Sequence, residues 1–169
     1  WLEDIRQQNG YTFIATAHHQ NDIAETMLLN LTKGTGLAGL HGIAPKSGKI
    51  VRPLLPFSKA IIENYAQTCN LPFRTDASNA ETKYVRNKIR HLVIPALKEI
   101  NPALEETFYQ NARRFGEIEQ VYLSGIELYR KKLFQGTEKE RLISIGRLLK
   151  IQPLQTVLYE LLKPFHYNA

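Results

Sequence analysis

The sequence holds a single cysteine, Cys69, and no apolar run near the roughly 20 residues that a membrane-crossing helix needs. One cysteine excludes an internal disulfide and a multi-cysteine metal site. Pro-, Ser- and Gln-rich tracts are missing, and with 43% hydrophobic and 22% charged residues the 169-residue chain reads as folded throughout. Acidic residues are in deficit, 16 against 22 Lys and Arg, and the net charge of +6 suits a polyanionic partner without requiring one. These absences point to the cytoplasm and to no membrane association. The sequence has no initiator Met: it opens at Trp1 in what reads as the end of a helix reaching Gln8, and the expectation is that a segment upstream has been removed.

After Asn9-Gly10, residues Tyr11 to Ala17 form a short β-rich run of the kind found in a buried parallel strand. From Asp22 to Lys33 the spacing of Ile23, Met27, Leu28 and Leu31 predicts a helix, with Gly34 as its stop. Strand, polar turn and helix make an α/β unit. A glycine-rich loop (Gly34, Gly36, Gly39, Gly42) leads through the turn Pro45-Lys46-Ser47-Gly48 to the apolar segment Ile50 to Leu55. Ser58 reads as the cap of a further helix whose apolar stripe is Ile61, Ile62, Tyr65, Ala66 and Cys69, ended by Asn70-Leu71-Pro72. Thr75 to Asn79 has turn chemistry. Beyond Pro102 the seam Leu104, Phe108, Phe115, Ile118, Tyr122, Tyr129 and Leu133 predicts a long helix. Pro153 opens another, carrying Leu154, Val157, Leu158, Leu161 and Leu162. A domain boundary is placed near Asn101-Pro102.

Chemistry-bearing residues are densest in His18-His19-Gln20-Asn21-Asp22-Ile23-Ala24-Glu25-Thr26, where strand hands over to helix and where open α/β sheets bind ligands. Asp22 and Glu25, three apart, share a helical face and could together hold an ammonium group and accept its proton. Asp22 as a helix cap with Glu25 three residues on is also a capping box, which only satisfies backbone N–H groups. Both readings stand at this point. A metal site is not expected, since the order is not His-Glu-x-x-His and adjacent histidines at a strand end diverge. Gly34-Thr35-Gly36-Leu37-Ala38-Gly39 spells a dinucleotide pattern, yet it follows a helix rather than a strand, so a structural turn is the better reading. From Lys83 to Lys98 there are five basic residues and no acid. Arg86 and Arg90 fall on one helical face, able to grip phosphates or simply to stay solvated.

The runs Ala15 to Thr26, Lys33 to Leu40, Arg52 to Leu55, Asp76 to Asn79, Arg86 to Arg90 and Ile94 to Leu97, in that order, closely resemble the tRNA(Ile)-lysidine synthetase family of N-type ATP pyrophosphatases, or PP-loop proteins. The resemblance implies an α/β fold, the remnant of a parallel-sheet adenine-nucleotide α-hydrolase-like domain over 1–101, followed by an incomplete helical tRNA-contacting domain over 102–169. It implies an ATP-dependent ligase that activates a cytidine of tRNA(Ile) with a CAU anticodon as an adenylate. The amine of free lysine then displaces AMP to give lysidine, with ATP and Mg2+ as co-substrate. It places Asp22 and Glu25 at the lysine-handling positions, His18 and His19 lining the site, and Arg86, Lys88 and Arg90 on tRNA or adenylate phosphate. Asn21 stands where many members have a second Asp.

The family's Ser-Gly-Gly phosphate loop has no counterpart in this sequence, so the expectation is an active ligase for the parent protein and no ATP binding or catalysis by this piece alone. Two other readings are open. A tRNA thiolase of the same superfamily would use ATP similarly but commonly relies on cysteines, and Cys69 in an apolar stripe reads as inert packing. A noncatalytic RNA-binding module would need Arg86 and Arg90 but not Asp22. An exposed sheet edge would also allow self-association into a homo-oligomer.

Overall fold

A computed structural model describes residues 1–72, 85–136 and 141–165. The fold is mixed α/β and divides into two compact units, Trp1–Gly116 and Glu117–Ala169, with the division inside a long helix. The turn expected over Thr75 to Asn79, together with Lys83, Tyr84 and the last four residues, lies outside the described residues.

In the first unit, helix α1 (Leu2–Gln8) leads to strand β1 (Ile14–Ala15). β1 pairs in parallel with β3 (Ile50–Val51), and β3 pairs antiparallel with β2 (Lys46–Ser47), the sheet order being β1-β3-β2. Gly48 supplies the positive φ of the β2–β3 turn, a conformation that costs glycine little. The buried parallel strand expected over Tyr11 to Ala17 is thus reduced to two paired residues. Tyr11 and Phe13 are exposed, because β1 has a strand neighbour on one side only among the described residues.

Helix α2 (Gln20–Lys33) is the centre of this unit. Ile23 and Met27 pack with Leu55 and Ala112. Ala24, one position round, packs with Ile89, Ile94 and Leu104, and its small side chain lets these approach closely. Two adjacent stripes are therefore apolar, wider than the single seam foreseen, while Leu31 of that seam is exposed. Gly34 ends the helix at φ 77, as its position in the sequence suggests. Gly42, at φ 63, lies against α2, where an added Cβ would come within 3.1 Å of Met27 and 3.2 Å of Ile23.

Between these lies the short helix α3 (Leu37–Leu40). Helix α4 (Lys59–Thr68) is capped by Ser58, whose Oγ accepts from the Ile61 N–H at 3.3 Å. Its expected core stripe faces outward, however, with Ile61 and Tyr65 57% and 64% exposed, and Cys69 is exposed rather than packed. The periodicity is real, but no described element covers that face, so inert packing no longer accounts for the cysteine.

Helices α5 (Val85–Lys88) and α6 (Ile94–Ile100) are joined by a π-helical turn, Ile89–Val93, in which the Ile94 N–H bonds to the Ile89 carbonyl. Pro95 explains the wide turn. It donates no hydrogen bond to the carbonyl four residues back and its ring would collide with it, and one widened turn relieves both.

The long helix α7 (Leu104–Leu133) begins where the sequence places it, although Ile118 of the expected seam is exposed. In the second unit the C-terminal turns of α7 pack Ile126 and Leu133 against Ile151, Val157 and Leu161, the last two on helix α9 (Leu154–Leu162). Burying a leucine such as Leu161 removes enough apolar surface to contribute about 1.5–3 kcal/mol. The hairpin of β4 (Phe134–Gly136) and β5 (Arg141–Ile143) and the short helix α8 (Ile145–Leu148) complete this unit. Nothing in the three- and four-residue periodicity announced that hairpin.

Candidate active site

The polar cluster sits where β1 hands over to α2. His19 is the N-cap, three residues earlier than Asp22, in an extended conformation that stops the helix growing backwards. Its backbone N–H donates to Asp22 Oδ2 at 2.9 Å, so Asp22 is the third helical residue of a capping box rather than the cap itself. The two oxygens of this carboxylate have different partners. Oδ2 serves the helix end, and Oδ1 accepts from Arg86 Nη2 at 2.9 Å.

Glu25, one turn on, is 1% exposed. A buried carboxylate is tolerated only when paired and hydrogen-bonded, and Glu25 is both. Arg86 Nε donates at 2.7 Å to Oε2, Arg90 Nε at 2.6 Å to Oε1, and Arg90 Nη2 at 3.0 Å to Oε2. Arg90 thus makes the two-pronged contact its planar guanidinium favours, and the Glu25 carboxylate holds Arg90 still more firmly protonated than usual. The common face predicted for Arg86 and Arg90 exists and is turned onto α2. Neither arginine is merely solvated.

The histidines separate, as expected of neighbours at a strand end. His18 Nδ1 lies 2.9 Å from Thr16 Oγ1. His19 Nδ1 lies 3.3 Å from Asp22 Oδ2, yet is buried without meeting hydrogen-bond geometry there. Burial pushes the His19 imidazole below its ordinary pKa, against the opposing pull of Asp22 and Glu25, so it is neutral near pH 7. Lys88 is exposed, and among the described residues the ion pairs to Asp22 and Glu25 come from Arg86 and Arg90, with the His19 imidazole beside Asp22.

Three residues, Gln20, Asn21 and Lys98, make contacts that were not foreseen. Gln20, buried, donates to the Pro56 carbonyl at 2.9 Å and to Glu106 at 2.8 Å. Asn21 donates to Glu105 at 3.0 Å and accepts the Lys59 N–H at 2.9 Å, tying α2 to the starts of α4 and α7. An aspartate at position 21 could not make the first of these bonds. Lys98 completes the group, bonding Glu105 at 2.8 Å. The only signal for Glu105 and Glu106 was two acids in the first turn of a helix, which also serves the helix dipole.

Among the described residues no group of three or more His, Cys, Asp or Glu is arranged to hold a metal ion, and no helix is long and apolar enough to cross a membrane. The glycine-rich segment Gly34 to Gly39 closes the C-terminal end of α2 and, at Gly36, caps the single-turn helix α3.

Residues 1–97 match a family model described as PP-loop domain. Among curated relatives, a tRNA(Ile)-lysidine synthase of Parabacteroides distasonis is 37% identical over 99% of this chain and 38% of its own length. One of Bacteroides thetaiotaomicron is 37% identical over 100% of the chain and 39% of its own. A third, of Thermotoga maritima, is 42% identical over 65% of the chain and 27% of its own. The chain spans under two fifths of the length of these relatives.

Proposed function

The chain belongs to the PP-loop domain family, and from that premise we propose that it carries the lysine-handling part of an ATP-dependent tRNA(Ile)-lysidine synthetase. The observation that carries the reading is the paired-charge cluster of Asp22, Glu25, Arg86 and Arg90 at the N-terminal end of α2. It offers the two charges this reaction needs side by side, an anion for a lysine ammonium and cations for phosphate.

Within the proposal the two carboxylates divide the work. Asp22, its side chain 14% exposed, is the one an entering amine can reach. It would hold the ammonium and accept a proton as the amine attacks the adenylated cytidine and AMP leaves. Glu25 has its carboxylate committed to arginines, so it positions Arg86 and Arg90 instead of meeting lysine directly. This narrows the paired lysine site inferred from the spacing of Asp22 and Glu25. His19, neutral beside Asp22, is placed to orient that carboxylate or relay its proton. Arg86, 39% exposed, faces phosphate of the tRNA or of the adenylate, and Lys88 and Arg90 extend the basic edge. ATP with Mg2+ enters as co-substrate.

The test is transfer of labelled lysine to tRNA(Ile) bearing a CAU anticodon, by a protein of the relatives' full length carrying this sequence, with ATP. Incorporation supports lysidine synthesis. Its absence in a folded, ATP-consuming protein points to another tRNA modification. Exposed Cys69 keeps the sulfur-transfer reading open, and replacing it by Ser separates the two, since lysine transfer should be unaffected.

A further inference from the structure

Arg86 bridges two carboxylates of unequal character. Its Nε is anchored on buried Glu25, while its Nη2 reaches Asp22, the more accessible acid. Arg90 grips Glu25 with both Nε and Nη2. Asp22 is also held independently, because Oδ2 keeps the His19 N–H whether or not Oδ1 keeps Arg86. The Asp22–Arg86 bond can therefore break with each side chain still fastened by its other contact. In the closed arrangement the cation that satisfies Asp22 and the anion that satisfies Arg86 come from the protein itself.

We propose that Arg86 is an internal stand-in for a substrate ammonium group, so that a primary amine at Asp22 and a phosphate-type anion at Arg86 bind with positive cooperativity. The inference rests on the reading of Asp22 as the ammonium-binding residue and adds the linkage between the two ligands. An ammonium entering alone must displace Arg86 and leave a guanidinium without its second partner. An anion entering alone leaves Asp22 in the same state. When both enter, one internal ion pair is exchanged for two external ones. The coupling is reciprocal by thermodynamic necessity, and couplings of this kind typically amount to about 5-fold or more in affinity. Ordered arrival follows: lysine binds well only once a phosphate group is in place, which guards a reactive amine site against being filled before its phosphorylated partner arrives.

The test measures binding of free L-lysine to the 169-residue chain by titration calorimetry, with saturating inorganic phosphate and with chloride at matched ionic strength. Chloride is the control because salt screening alone weakens exposed pairs. The expected result is a lysine Kd about 5-fold or more lower in phosphate. In Arg86→Gln the competitor is gone, so lysine should bind more tightly than to wild type in chloride, with phosphate having no further effect. A residue with only a structural role would weaken binding when replaced. Near-UV circular dichroism reports whether the variant is folded, and the wild-type comparison decides the matter if it is not. Lysine binding that ignores phosphate in the wild-type chain overturns the linkage and leaves Asp22 as its site. No lysine binding, or binding undiminished in Asp22→Asn, overturns both.

Discussion

Both units of this chain have apolar clusters, but among the described residues only the first also buries a carboxylate held by arginines. In the second, Leu133, Val157 and Leu161 close an apolar core with Ile126 and Ile151. In the first, a carboxylate is buried beside Ile23 and Ala24 on the same helix and is held by two guanidinium groups. An apolar core tolerates its neighbours loosely, because the hydrophobic effect is non-directional. A buried ion pair is seldom more stabilising than apolar residues of similar volume, yet it fails severely when one partner is removed. The second unit is built for stability, whereas the first accepts a penalty to fix two arginines against one helix end. That is the pattern expected where charges must be held in register for a ligand.

The comparison is broken most forcefully at Glu25. Glu25→Ala should destabilise the first unit by about 3 kcal/mol, the low end for a broken buried pair because both arginines are about a third exposed. Urea unfolding followed by circular dichroism measures this, and a loss under 1 kcal/mol would mean water already screens the cluster. Leu161→Ala is the matched lesion in the second unit. It should cost about 2–4 kcal/mol through lost burial and a residual cavity, with no dependence on pH between 5 and 8, since no titrating group is involved.

A pH series sharpens the contrast. His19 has its folded pKa lowered by burial, so between that value and 6.5 the unfolded chain binds the proton and the folded chain does not. The stabilisation is therefore fully present above about 6.5 and is lost as the pH falls below it. The first unit's unfolding midpoint should drop in acid, and His19→Gln should flatten the drop. The smallest effect is expected at Ser58→Ala, about 1 kcal/mol for a lost helix cap on a surface helix, read as a modest shift in the same unfolding curve.

How much of this the sequence disclosed depends on the range of the interaction. Local signals were legible: Gly34 and Asn70 as helix stops, Ser58 as a cap, and the long helix to Leu133 all rest on neighbours within a turn or two. Features that depend on what lies opposite were not. The stripe Ile61, Tyr65, Cys69 has the period of a core face, but period does not say whether another element covers it. Arg86 and Arg90 were legible as a cationic face, while their acidic partners lie about 60 residues earlier, a pairing no spacing rule discloses. Asp22 and Glu25 carry the same charge and share a helix face. The difference between them, one accessible and one sealed, comes from burial alone.

The most direct test of the division between Asp22 and Glu25 is to follow both half-reactions in a protein of the relatives' full length carrying Asp22→Asn. Pyrophosphate released from ATP in the presence of tRNA(Ile) reports activation of the cytidine, and labelled lysine in the tRNA reports transfer. If Asp22 meets the amine, pyrophosphate release persists within a few-fold of wild type while lysine transfer collapses, by about 100-fold or more where general-base catalysis is lost. Lysine transfer at the wild-type rate by Asp22→Asn would contradict the assignment.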